Sequence, residues 1–353
     1  MKTVSLIDEN ARRRRRASRL LQDRAGAEPA PRLKFWGVRG SVPTPGPTTV
    51  RYGGNTSCVE FRAGGEIIVL DAGTGLRPLG RALAAEFKDR PLNLTLLLTH
   101  THWDHIHGLP YFMPIYLPNV HVRILGFEGA HKGLAGILSA QMESTYFPIG
   151  FHALPSNVVV EELHDPEFHV GPVRVQAHRA NHPGACFGYR LFAARRSVAF
   201  FPDNELACPR AAQAGSHAPG EEARNEALVQ FLAGVDALII DAQYTASEYG
   251  QHVGWGHGCV DQVVELAVRA RAKQLFLFHH DPDHDDAQIE QIVEHARQLA
   301  RAKGQALRVD AAQEGRVVEL PVPAAVGTLA GIPERPRPRQ RERPARRTGG
   351  SLR

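Results

Sequence analysis

The stretch LTHTHWDHIHGLP, residues 98–110, puts four histidines and an aspartate within eight residues, 100–107. Imidazole nitrogens and carboxylate oxygens are the donors that zinc and similar divalent ions take. A lone histidine is usually a packing or surface residue. Several titratable groups gathered in one place need partners, and without a cation their burial is costly. The pattern His100-x-His102-x-Asp104-His105 therefore reads as a metal site. His100 follows the apolar run LTLLL directly, so it stands where the chain leaves a strand. A tight turn there can aim two imidazoles at one point and the Asp104–His105 pair at a neighbouring point.

The elements that must position these residues are short apolar runs ended by turn or polar residues. LKFWGV, EIIVLDAG, NLTLLLTH, VHVRILG, VRVQAH, SVAFFPD, DALIIDA and KQLFLFHH read as strands. Helices are predicted near 76–88, 131–142, 221–233, 260–272 and 286–303. In the fourth, Val260, Val263, Val264 and Ala267 share a face. The fifth has Asp285 as N-cap, a stripe of Ile289, Ile292, Val293, Ala296 and Ala300, and Gly304 as its stop. Several strands end in a polar residue: Asp71, His100, Asp203, Asp241 and His279. If those ends meet at one rim, the loops leaving them share a single cleft.

HTHWDH resembles the HxHxDH motif of the metallo-β-lactamase superfamily, and other expected parts follow in order over about residues 33–320. VLDAGTGL is similar to the family's first motif, in which the strand-end aspartate, here Asp71, braces the metal-binding loop. ANHPG offers His182, 77 residues after His105, and FPDN offers Asp203, 21 residues later. LFLFHHDPDH offers His279, with His280 as its rival; the alignment with the family's strand-end ligand prefers His279. The resemblance implies an α/β fold, the αββα sandwich of two mixed sheets flanked by helices. It implies one metal on His100, His102 and His182 and a second on Asp104, His105 and His279, with Asp203 shared. Two ions roughly 3.5–4 Å apart would hold a hydroxide between them for attack on the substrate. Zinc is expected, and His/Asp ligands also suit manganese or iron.

Further motifs bear on the substrate. An aspartate rather than a cysteine at 203 argues against the best-known β-lactamase branch. GWGHGCVDQ is similar to the histidine motif of tRNase Z-like and cyclic-nucleotide-phosphodiesterase-like members, which implies proton donation to a leaving oxygen by His257. The alternative is a helix-capping turn. IIDAQYT places Asp241 where a carboxylate could orient His257. WGVRGSVPTPGPTTVRYGGNTSCVEF resembles the N-terminal signature of the phosphodiesterase-like branch, so Arg39, Arg51 and Asn55 are candidates to line a phosphate pocket, with His280 facing the cleft; a purely structural loop is the other reading. tRNase Z commonly carries a tRNA-gripping arm between the third ligand histidine and the bridging aspartate, and 21 residues are too few for one. A small phosphodiester such as a cyclic nucleotide is the expected substrate. Thioester or lactone hydrolysis is the first rival, and a non-enzymatic nucleic-acid-binding or regulatory role the second.

Bulk composition sets the limits. At 353 residues with 43% hydrophobic residues, the chain can bury a sizeable core. No apolar run is long enough to span a bilayer, and residues 1–22 lack a secretory pattern, so the cytoplasm is expected. The net charge of +5 is carried by the ends. Residues 1–32 hold nine Lys/Arg against four Asp/Glu, residues 334–353 eight Arg against two Glu, and the body between is about −6. Three segments are expected: a basic tail over 1–31, a hydrolase domain over 32–322 and a Pro/Arg-rich tail over 323–353. The tails admit weak polyanion contact. A small-molecule substrate is the principal partner, no membrane is involved, and a homodimer is admitted. Cys58, Cys186, Cys208 and Cys259 lack CxxC spacing and read as mostly buried thiols.

Overall fold

The structure is a computed structural model that describes residues 29–127, 133–206 and 221–322. The apolar runs build two sheets, each of seven strands among the described residues. In the first, β1 (Arg32–Gly37), β2 (Cys58–Ala63), β3 (Glu66–Leu70), β4 (Leu92–Leu97), β5 (Val120–Phe127) and β6 (Asn157–Leu163) lie side by side in chain order. Pairing is antiparallel from β1 to β3 and parallel from β3 to β6. The second sheet repeats that plan with β7 (Glu167–Val170), β8 (Val173–Arg179), β9 (Phe187–Ala193), β10 (Arg196–Phe201), β11 (Ala237–Asp241), β12 (Gln274–Phe278) and β13 (Arg308–Ala311). It is antiparallel to β10 and parallel beyond it. β14 (Val317–Glu319) then returns to flank β1.

Strand alternation sorts side chains between layers. In β12, Phe276 and Phe278 enter the core between the sheets while Leu275 and Leu277 face the helices. β11 does the same with Ala237 and Ile239 inside and Leu238 and Ile240 outside. Both faces of these parallel strands are covered, which is why they read as continuous apolar runs. Phe35 of the first sheet meets Phe276 of the second at 5.3 Å between ring centroids. On the outside of the first sheet lie α1 (Leu76–Phe87), the short α2 (Trp103–Ile106) and α3 (Gly133–Ala140). Outside the second lie α4 (Glu221–Leu232), α6 (Val260–Arg269) and α7 (Asp286–Ala302), with the four-residue α5 (Ala246–Tyr249) in the loops. The result is an αββα sandwich.

Helix positions follow the periodicity closely. Asp285 caps α7 by accepting from Gln288 N at 2.8 Å, and the Gln288 side chain answers Asp285 N at 3.0 Å. β2, β6, β7, β9, β13 and β14 are strands that the apolar-run criterion passes over. Glu60, Arg62 and Arg190 break up two of them, and β6 is an edge strand carrying Glu161 and Glu162, where charge guards an unpaired edge. Cys58 and Cys186 are buried thiols and Cys259 is buried too; Cys208 lies outside the described residues. The chain divides after Val322 into two units. The tails expected over 1–31 and 323–353 lie outside the described residues except for 29–31, where Leu320 N donates to Pro31 O. No helix of the described residues is long and apolar enough to cross a membrane.

Candidate metal centre

The parallel strands of both sheets discharge polar residues at their C-terminal ends. His100 and His102 follow β4, and α2 supplies Asp104 and His105. His182 sits in the turn between β8 and β9, Asp203 just past β10, Asp241 at the end of β11 and His279 just past β12. His100, His102, His182 and Asp203 each offer one ligand atom within 4.8 Å of the others, and so do Asp104, His105 and His279. Asp203 joins the two groups. Its Oδ2 is 3.6 Å from His100 Nε2 and 3.5 Å from His182 Nε2, and its Oδ1 is 3.0 Å from His105 Nε2 and 3.3 Å from His279 Nε2. Asp104 Oδ2 closes the second group at 3.1 Å from both His105 and His279.

Each of four imidazoles is held by its Nδ1, which leaves Nε2 to face inward. Asp71 Oδ2 takes His105 Nδ1 at 2.7 Å, Gln243 Oε1 takes His279 Nδ1 at 2.9 Å and Gly256 O takes His182 Nδ1 at 2.9 Å. His100 Nδ1 is 3.0 Å from the Thr99 hydroxyl, which in turn donates to Asp71. Outer partners of this kind orient metal-binding histidines and set their tautomer. Asp71 and His279 hold φ near +60°, uncommon for side chains with a Cβ and the kind of strain that collects at functional sites. Gly40 lies so close that a Cβ there would come within 2.3 Å of His279 Nδ1. The N–H of Ser41, next in the chain, donates to Asp104 Oδ2 at 2.8 Å.

The cluster behaves as a socket for positive charge. Burial drives His100 well below the ordinary histidine pKa, with His105 adding to the effect, and burial also lowers His102 and His182. These are neutral imidazoles, the form that binds metals. Burial would do the same to His105, but Asp104, Asp203 and Asp71 outweigh it and raise its pKa well above normal. Burial alone would raise the carboxyl of Asp203, yet the charges of His105, His279 and His100 hold it well below the carboxylate range. His100 Nε2, His105 Nε2 and Asp203 Oδ1 are buried without a hydrogen-bond partner. His105 Nε2 and Asp203 Oδ1 are near each other, but not in hydrogen-bonding geometry. Buried donors and acceptors left open around one aspartate fit a pair of divalent ions.

His257 stands beside this cluster. Its ring stacks on His279 at 4.9 Å, and its Nδ1 meets Asp241 Oδ2 at 2.9 Å. Burial opposes its charged form, but Asp241, helped by Asp203 and Asp104, pushes its pKa up to about 9. His257 precedes α6 without capping it; Cys259 is the N-cap. Next to His100 and His102, a cavity of about 130 Å³ is lined by Phe127, Leu134, Ile137 and Pro183.

The residues considered for a phosphate pocket stand elsewhere. Arg39 is fully buried and donates to the carbonyls of Gly53, Asp281 and His284. Arg51 is paired with Glu290 on α7, and Asn55 is bonded to Glu314. His280 is buried, with Nε2 on Ala312 O and its ring against Tyr52, so it faces neither the cleft nor the cluster. In each case an acceptor elsewhere in the chain holds the side chain, although Arg39 Nη2 is buried without a partner. Sequence reasoning did not single out Thr99, Gln243, Glu205, Gly256 or the Ser41 N–H. Their types are ordinary, and only proximity gives them a role.

A sequence model of the β-lactamase superfamily domain matches residues 67–280. A ribonuclease Z of Anoxybacillus flavithermus is 28% identical over 173 residues, 47% of this chain and 50% of that protein, so the match spans half of that relative's length. A ribonuclease Z of Natronomonas pharaonis is 24% identical over 283 residues, 70% of this chain and 86% of that protein. Among solved structures, the metallo-β-lactamase fold protein YhfI of Bacillus subtilis superposes with a TM-score of 0.57 at 18% identity, covering 82% of this chain and 99% of that one.

Proposed function

The chain belongs to the metallo-β-lactamase superfamily, and from that premise we propose that it is a binuclear metal-dependent phosphodiesterase of small phosphodiesters such as cyclic nucleotides. The observation that carries the reading is the arrangement around Asp203: two groups of ligand atoms sharing one carboxylate, with a protonated histidine against them. His100, His102 and His182 would hold one ion, and Asp104, His105 and His279 the other, with Asp203 between. Bound there, two divalent ions supply a water of lowered pKa and Lewis acidity towards phosphoryl oxygens.

The chain's own residues do the rest. Asp71, Thr99, Gln243 and Gly256 keep four imidazoles in the tautomer that presents Nε2. Asp241 holds the His257 Nδ1 proton and stabilises the imidazolium, so Nε2–H is the proton given to the leaving alkoxide. Cations on Asp203 and Asp104 would cancel their pull on His257, and Asp241 is the raising charge that remains.

Two features support a small substrate over a folded RNA. The chain between His182 and Asp203 is one hairpin, β9 and β10, joined by a two-residue turn at Ala194 and Arg195 with no room for an arm. The cavity beside His102 has space for one small group. One observation favours a second reading. Phe127, Leu134, Ile137 and Pro183 give that cavity an apolar wall, and Arg39 and Arg51 are committed elsewhere, which suits an acyl group of a thioester or lactone.

The test is purified, metal-loaded protein offered bis(p-nitrophenyl) phosphate, cyclic nucleotides, a thioester, a lactone and an unstructured RNA side by side. Chelator-sensitive turnover of the phosphodiesters is expected. Turnover confined to the thioester or lactone would overturn the reading.

A further inference from the structure

Glu205 is buried two residues beyond Asp203, and its carboxylate is satisfied by three donors from one loop. Oε1 accepts from the Tyr249 hydroxyl at 2.7 Å and from Gly254 N at 2.8 Å, and Oε2 accepts from Gly256 N at 2.9 Å. Gly254 and Gly256 have φ of +86° and +88°. Alternate N–H groups in such a turn form a concave anion receptor, here filled by the chain's own carboxylate.

The pinned loop reaches the candidate metal centre through a single residue. Gly256 gives its N–H to Glu205 and takes His182 Nδ1 on its carbonyl, and a Cβ on Gly256 would sit 2.4 Å from that nitrogen. The next residue is His257. Glu205 also ties down the other side of His182 through its main chain. Its N–H donates to Asn181 O at 2.9 Å, and its carbonyl accepts from Asn181 Nδ2 at 3.0 Å. One residue thus joins the Asp203 strand end, the His182 turn and the His257 loop.

We propose that Glu205 is a positioning residue that acts through Gly256 to hold His182 with Nε2 towards Asp203 and to set His257 in place. The proposal rests on the reading of His182 as a metal ligand and His257 as the acid. A carboxylate suits the task because it accepts from both glycine N–H groups at once. An amide cannot, since its NH2 would face one of those donors.

Glu205→Gln is the test, with Tyr249→Phe as its control. The control removes one donor and leaves the Gly256 bond. In Glu205→Gln, the affinity for the ion on His100, His102 and His182, measured by chelator competition, is expected to fall about 10-fold, the lower end of what an outer partner of a metal histidine is worth, because Glu205 acts on that partner, Gly256. The absorption bands of the cobalt-substituted protein should change as His182 shifts. Tyr249→Phe should keep both near wild type. A purely structural Glu205 would lower the melting temperature while leaving affinity and cobalt spectrum unchanged in the folded protein, and that result overturns the proposal. Should Glu205→Gln not fold, Glu205→Asp is read by the same two measurements. It draws the carboxylate back by one methylene, so weakened affinity supports the proposal and wild-type values overturn it. Neither readout needs a substrate, so Glu205 is judged even if no phosphodiester is hydrolysed. A wild-type protein that binds no divalent ion would overturn this proposal and the reading beneath it together.

Discussion

Two glycine-rich segments with similar polar residues do opposite work. The first, residues 37–55, carries Arg39, Arg51 and Asn55; the second, 254–258, carries His257. In the first, Arg39, Arg51 and Asn55 are bonded to other parts of the protein. Gly53, Asp281 and His284 present carbonyls that Arg39 answers with its guanidinium, a fork of donors suited to several acceptors at once. In the second, the carboxylates of Asp241 and Glu205 pull the loop against the histidine cluster. A residue's type says what it can bond to. The unpaired groups that the fold brings near decide what it does bond to, because buried polar groups are rarely left without a partner.

Five substitutions probe that contrast, from the largest effect to the smallest. Asp203→Ala removes the group shared by both halves of the cluster. Its loss of activity should exceed the roughly 100-fold that an outer partner costs, with metal content by elemental analysis falling alongside; full activity would end the scheme. His257→Ala should retain both ions and lose about 10²-fold or more in kcat, the usual worth of a positioned acid. An unchanged rate would reduce the second segment to a scaffold like the first.

Asp241→Asn sharpens the point through pH. With cations on Asp203 and Asp104, Asp241 is the charge that still raises the His257 pKa, so the proton-donating form is present at lower pH and is lost as pH rises through that raised pKa. Removing the Asp241 charge lowers that pKa, and the alkaline fall in kcat should move to lower pH. A limb that stays in place would show that another group donates the proton.

Arg39→Met should leave the Gly53 and His284 carbonyls without the donor Arg39 gives them, while the Asp281 carbonyl keeps the His284 N–H, and cost on the order of 2–3 kcal/mol, read as a lower urea midpoint. A raised KM with stability intact would instead put Arg39 at the substrate. Arg51→Ala should change little in either measurement, because its partner Glu290 is an exposed side chain on α7. A raised KM for phosphodiesters there would break the contrast between the two segments.

Much of the fold was legible because its central strands are buried on both faces and leave unbroken apolar runs. The strands that escaped notice, such as β2 and β9, interleave Glu60, Arg62 and Arg190 with their apolar residues. The helices were legible from periodicity and caps, as in α7, where Asp285 and Gln288 cap each other. The histidine cluster announced itself through density and spacing. Its supports did not, since Gln243 and Glu205 are unremarkable until His279 and Gly256 lie within hydrogen-bond reach.

The sequence by itself determined the class of fold, the family motif and the chemical character of the site, because these depend on residue types at short separations. Only the tertiary structure decided that His279 rather than His280 faces Asp104, that Arg39 is a buried fastening and that Glu205 reaches the His182 turn. Those outcomes join residues that are distant in the chain, from 24 positions between Glu205 and Asn181 to 245 between Arg39 and His284. Which donor meets which acceptor over such separations is set by how the strand ends come together, and no local pattern records it.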